Sequence, residues 1–382
     1  MSSVWQFVKR HRGKIVTGGV VIGGIWVAKR LFEDNRESIE AWLRNAQNSA
    51  VGTSPEHHSF TVDTRKHYIF DSQQRTADDS IVELIPDLQR RIAERLNVER
   101  VADRLKDQQN GAVTLTSDEK LQLWDEMKID SFARLLTAGY AYSILIVALK
   151  TQVSILSSEI FAESERFAAA QSTLAVVSQK FWSAFGYEAP QGDAKLDAGA
   201  QQLFLQCIQY FILHGLSTLM NRVHGVVADL MKELPLSTPT TSTSIAHLIQ
   251  EARRRLEGDD CRNFSYLVVP LTSNQDAFAT PRHHGRLELL LERFKRSLES
   301  TDCRLLIASC VDRFEREICR RIVGTQHDAA NEQGNEARPL AKLVPMLADG
   351  FATVSSVEFE SAVQDLLISN RLHQYCVKLF EN

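Results

Sequence analysis

Histidines, cysteines and paired carboxylates carry most protein chemistry, and in this 382-residue chain they do not converge. His57-His58 and His283-His284 are sequence neighbours, which cannot share one helix face. Both pairs stand in stretches that read as loops, with no cysteine or carboxylate cluster beside them, so neither reads as a metal site. The cysteines are Cys207, Cys261, Cys303, Cys310, Cys319 and Cys376, and no two are spaced C-x-x-C. A zinc ribbon or redox dithiol is therefore unsupported. Scattered cysteines in a chain of this size read as small buried residues of a reducing compartment, which assigns the body to the cytosol. Cys303, Cys310 and His214 lack the local setting of a nucleophile motif. Asp78-Asp79 reads as a helix start and Asp259-Asp260 as a loop. With no dinucleotide or Walker glycine loop either, the sequence points to binding and not catalysis, with no metal or cofactor.

The elements available to position a binding surface are helices. Hydrophobic residues make up 44% and charged residues 24%, the balance of a globular protein with a sizeable core. Period-two alternation is scarce. Ser80–Leu105 places Ile81, Leu84, Ile85, Leu88, Ile92 and Leu96 at three- and four-residue steps. A second helix starts near Ser117, with Lys120 at its third position and Asp118-Glu119 suited to the positive helix end, and runs beyond Ile160. A third pattern covers 196–234 and stops at Pro235, before a Ser/Thr/Pro linker at Ser237–Ser244. Further helices are expected at 244–257, 284–299, 302–325 and 357–380, and irregular chain at 49–66, 107–117, 188–196, 236–243, 258–283 and 326–338. The fold class is all-α, an elongated helical bundle.

The N-terminus is built differently. Ile15–Ala28 is charge-free, and counting on to Phe32 gives about 27 Å of helix if Lys29 and Arg30 snorkel to the interface. This reads as a single-span membrane anchor, with Ile15, Val20, Ile22 and Trp26 in the apolar stretch and Lys29 and Arg30 at its edge. No small-residue cleavage site follows it, which argues against a secretory signal. Gly19 and Gly23 form one GxxxG, a weak helix-pairing signal. Residues 1–32 carry +6, leaving −10 on the remainder of a chain whose total is −4. A basic head on an acidic body fits a membrane-facing end and argues against a nucleic-acid surface on the main domain. The expected organisation is a basic tail at 1–14, an anchor at 15–32, a membrane-proximal helix and linker at 33–66, and a cytosolic helical domain at 67–382.

Several ordered segments resemble the peroxin-3 family: Val4-Trp5-Gln6-Phe7-Val8-Lys9-Arg10-His11; Phe70-Asp71-Ser72-Gln73-Gln74-Arg75-Thr76 with Leu84-Ile85-Pro86-Asp87-Leu88; Leu121-Gln122-Leu123-Trp124-Asp125-Glu126-Met127-Lys128-Ile129 with Ser131-Phe132; and Pro339–Pro345. Together they span nearly the whole chain. The resemblance implies a peroxisomal membrane protein whose cytosolic domain docks peroxin-19, the soluble receptor and chaperone of newly made peroxisomal membrane proteins. Docking would lay an amphipathic N-terminal helix of peroxin-19 in an apolar groove at one end of the bundle. By the same resemblance Trp124 is the groove tryptophan, with Leu105, Lys106, Lys120, Leu121 and Ile160 around it. The stretch between Lys106 and Trp124 is longer here than the family pattern, and Ala162 stands where a larger residue is expected. The residues alone add that Lys120 and Lys128 flank Trp124 at i−4 and i+4, an unusual stripe for a core tryptophan. The alternative function is a signal-anchored adaptor or tether of the mitochondrial outer membrane. A membrane-anchored helical enzyme would require a closed polar pocket.

Overall fold

The structure, a computed structural model, describes residues 55–110, 114–173, 198–258, 264–270, 281–319, 337–355 and 361–381. The expected tail and anchor, with Ile15, Val20, Ile22, Trp26, Lys29 and Arg30 and the Gly19–Gly23 pair, lie outside the described residues.

The fold is all-α and is organised on one long helix. α1 is Pro55–Arg95, α2 is Val98–Gln109, and α3 is Ser117–Thr173. At 57 residues α3 is about 85 Å long, which sets the long axis of the bundle. Residues 130–157 of α3 are buried at every position. A helix that is apolar all round must be covered all round, and the covering helices follow in order. They are α4 (Ala198–Tyr210), a π-turn (Phe211–Gly215), α5 (Leu216–Met231), α6 (Ser242–Leu256), α7 (Ser265–Val268), α8 (Pro281–Glu299), α9 (Thr301–Ile318), α10 (Leu340–Val354), α11 (Ala362–Leu367) and α12 (Asn370–Glu381). α1, α2, α4, α5, α8, α9, α10, α11 and α12 all pack directly on α3. Among the described residues one helical stretch, Ser117–Ala162, is long and apolar enough to cross a membrane, and its most apolar window is entirely buried inside the bundle. Two-residue strands β1 (Pro239–Thr240) and β2 (Arg338–Pro339) pair antiparallel, tying the linker after α5 to the start of α10.

Many of the polar groups buried on α3 have hydrogen-bond partners within the protein. Ser131, Ser143, Thr151, Ser154 and Ser157 each donate to the carbonyl four residues earlier, at 2.6–2.9 Å. Lys150 pairs with Asp78 on α1 at 2.5 Å and donates to the Gln74 carbonyl at 3.3 Å. Burial lifts the Asp78 carboxyl above its ordinary value, and the Lys150 ammonium pulls it back.

Several sequence expectations are corrected by packing. The linker expected over 49–66 is helical from Pro55, because α1 runs unbroken across the expected domain boundary at 66. Asp78-Asp79 is therefore mid-helix. Conversely, the expected helix Ser80–Leu105 breaks after Arg95, where Asn97 accepts from Arg100 N at 2.9 Å and starts α2 afresh. The last expected helix, 357–380, is two helices with a break at Ile368-Ser369. α10 was not expected, and His283-His284 falls in α8 and not in a loop.

One close approach fixes a glycine. A Cβ on Gly215 would overlap the carbonyl oxygen of Leu267, because α7 lays its backbone against the π-turn. Gly225, one helix on, has open space around it. Gly215→Ala is expected to destabilise the fold by about 2 kcal/mol or more, through forced separation of α7. Gly225→Ala is expected to be neutral or to stabilise by up to about 1 kcal/mol. Denaturant melts of the two variants side by side check the contrast.

Candidate functional site

The N-terminal end of α3 is where the central helix emerges from its cover. A capping box starts it one residue earlier than the sequence suggests. Thr116 Oγ1 accepts from Glu119 N at 3.3 Å, and the Glu119 carboxylate accepts from Thr116 N at 2.8 Å. Those Thr116 hydrogen bonds hold the Glu119 carboxyl below its ordinary value. Thr116, not Ser117, is the cap.

α2 and α3 form an antiparallel hairpin whose register two ion pairs fix. Arg134 Nη1 meets both oxygens of Glu99, at 2.7 and 2.9 Å, and Arg100 lies 3.7 Å from Glu126. The antiparallel run places Leu105 opposite the first turns of α3, the stretch that holds Leu121 and Trp124. Leu105 and Trp124 are half-buried and pack on the core, as does Leu115 in the connecting loop, which sequence reasoning did not single out. Leu121 is 58% exposed. Leu123 and Met127 point the other way and are buried. Lys106 and Lys120 are exposed at the rim, Lys106 with Asp103 at 3.6 Å. Partly or fully exposed apolar residues, Leu105 on α2, Leu115 in the loop and Leu121 and Trp124 on α3, thus cluster in sequence around the α2–α3 connection, with an exposed lysine on each helix.

Lys128, one of the two lysines that flank Trp124 in sequence, is not a solvated side chain. It is 3% exposed, and its ammonium donates to Leu234 O at 2.9 Å and Met231 O at 3.2 Å while pairing with Asp125 at 2.7 Å. It closes the C-terminal end of α5, whose last carbonyls lack intrahelical partners. Trp124 is only half-covered because the helix end surfaces there, not because lysines flank it on both sides.

The structure does not bring Ile160 to this surface. Ile160 is half-buried on the same unbroken helix, 36 residues beyond Trp124, which is about 54 Å along the axis. It belongs to the opposite end of the bundle. There Phe161 neighbours Phe380 at 6.1 Å, with the Lys66 ammonium near both rings. The expectation that it lines the Trp124 site is corrected accordingly.

A second concavity lies at the α1–α2 elbow, an open polar cleft of ≈ 290 Å³ bounded by Arg95, Arg100, Glu126, Asp130, Asn221 and His224 among others. Its charges engage one another. Arg95 donates to Asn221 at 3.2 Å, and His224 lies 3.3 Å from Asp130. Burial raises the Asp130 carboxyl above its ordinary value, and the facing His224 opposes that. An apolar void of only ≈ 20 Å³ sits deeper, between α3, α5, α6 and α9. Among the described residues no group of three or more His, Cys, Asp or Glu is placed to hold a metal.

Comparison with known proteins is consistent along the chain. The family described as Peroxin-3 matches residues 109–380. Peroxisomal biogenesis factor 3 of Rattus norvegicus is 23% identical over 403 aligned positions, covering 100% of this chain and 97% of that protein. The Homo sapiens protein of the same name is also 23% identical, at the same coverage. Peroxisome biogenesis protein 3-2 of Arabidopsis thaliana is 21% identical, over 91% of this chain and 89% of its own.

The division between exposed and buried leucines at the head of α3 is directly measurable. Leu121→Ala is expected to change unfolding free energy by less than about 0.5 kcal/mol, and Leu123→Ala to cost about 2–5 kcal/mol. Equal losses in chemical denaturation would mean that Leu121 is core.

Proposed function

This chain belongs to the Peroxin-3 family, and we propose that within peroxisome biogenesis it acts as the membrane docking receptor for peroxin-19. Newly made peroxisomal membrane proteins would be delivered to this receptor. The chain would be held in the peroxisomal membrane by one span at 15–32, with the helical domain in the cytosol. Its work would be binding and not catalysis. No nucleic acid enters this reading; membrane lipid meets the anchor.

One observation supports the docking assignment above others. Leu121 is 58% exposed beside a half-buried Trp124, at the surfacing end of a helix that is otherwise core. A tryptophan anchored on one edge and open on the other has the form of an interface hot spot. An amphipathic helix can lay an apolar stripe across Leu105, Leu121 and Trp124. Lys106 and Lys120 at the rim then favour acidic residues on its flank and speed encounter more than they add affinity.

The test is a titration of the detergent-solubilised full-length chain with a peptide of the peroxin-19 N-terminal helix. Trp124→Ala is expected to weaken binding at least about thirtyfold, or about 2 kcal/mol, with an unchanged circular dichroism spectrum. Unchanged affinity would remove Trp124 from the site. No binding by the folded wild-type chain would remove the docking role.

A further inference from the structure

We infer that Lys128 is a positioning residue for the docking surface and that Leu234, on the turn it holds, is a second apolar wall of that surface. The inference rests on the docking role proposed above.

The geometry begins with the direction of helical side chains. A long side chain in a helix leans towards the N-terminus and covers the turn before its own Cα. The Lys128 ammonium therefore lies at the level of residues 124 and 125, as its 2.7 Å pairing with Asp125 shows. From there it reaches Leu234 O at 2.9 Å and Met231 O at 3.2 Å. The turn after α5 is thus fastened to α3 at the height of Trp124 and not one turn further along. Leu234 is half-buried and packs on the core, like Trp124 itself. The same turn is tied on its far side, where Ala341 N donates to Leu236 O at 3.0 Å and Leu340 N donates to Thr238 O at 3.0 Å.

The ammonium has three protons and three partners, so it is fully used on this task. A structural C-cap for α5 would be served by any donor. What Lys128 adds is a fixed distance between the turn and the face that carries Trp124. The docked amphipathic helix would then seat one bulky apolar side chain between Trp124 and Leu234, in addition to its contacts with Leu105 and Leu121.

A double-mutant cycle on the full-length chain tests this, read as affinity for the peroxin-19 helix peptide with thermal melts alongside. Leu234→Ala is expected to weaken binding about fivefold and Lys128→Met about tenfold. The double variant is expected to lose less than about twofold beyond Lys128→Met, because the wall is already displaced. A Lys128 that affects binding apart from Leu234 would leave the two binding losses independent, near fiftyfold together. That additive result overturns the inference. An unaffected affinity in Leu234→Ala also overturns it, and this variant decides even if Lys128→Met fails to fold. Binding abolished by Trp124→Ala but untouched by Leu234→Ala and Lys128→Met would sink this inference alone. No wild-type binding would sink it together with the docking role.

Discussion

Water does not reach the middle of α3. Residues 130–157 are buried at every position, so most polar atoms in that stretch have lost their hydration and depend on partners from the protein. The small hydroxyls turn back onto their own helix. Longer groups reach out, and each reach ties another element down. Lys150 ties α1 through Asp78, Gln152 donates to Phe204 O on α4 at 2.8 Å, and Arg134 ties α2 through Glu99. Arg134 also lies over the Phe351 ring of α10 at 4.1 Å. Tyr140 bonds the Glu257 carboxylate, which itself accepts from Arg253 at 3.2 Å. The apolar surface drives assembly without direction, and these polar ties choose the register.

The same helix is core along its middle and surface at its head, and the candidate site sits where one becomes the other. Leu123 and Met127 keep the head of α3 seated while Leu121 turns outward. Lys128 marks the boundary, as the first buried ion on the helix that looks outward to the chain's irregular parts. Placing the site on a rigid element lets an exposed leucine and a half-covered tryptophan keep their geometry without a partner present. A surface held ready in this way spends less ordering entropy on binding.

Much of the architecture was legible in the sequence because helical periodicity reports burial directly. The long α3 run, the pattern ending at Pro235 and the helices near 244–257 and 284–299 all appear at close to their expected places. The misreadings share a physical cause. Breaks at Asn97 and Ile368 depend on capping and corner packing, which apolar spacing does not encode. α10 begins behind a proline and carries Pro345 inside it, which masks a helical pattern. At the candidate site, Trp124, Leu121 and Leu105 were all named from the resemblance, and the structure leaves Trp124 and Leu105 half-buried and Leu121 exposed. Nothing in the sequence marks Lys128 as buried, because a lysine's burial depends on acceptors more than 100 residues away, at Met231 and Leu234. Ile160 was the opposite case. An unbroken helix from Ser117 past residue 160 already implied separate ends, so the grouping with Trp124 failed on distance alone.

A buried lysine is a costly way to hold a turn. Desolvating an ammonium costs several kcal/mol, roughly, and its ion pair and hydrogen bonds return that only when geometry is good. A methionine would fill the same space without the cost, and apolar contact alone would still press α5 against α3. It would not say where along α3 the turn must stop. Two carbonyls and a carboxylate around one ammonium admit a single arrangement, whereas an apolar interface slides. The region beside Trp124 is therefore one in which position, and not only stability, is specified by the sequence.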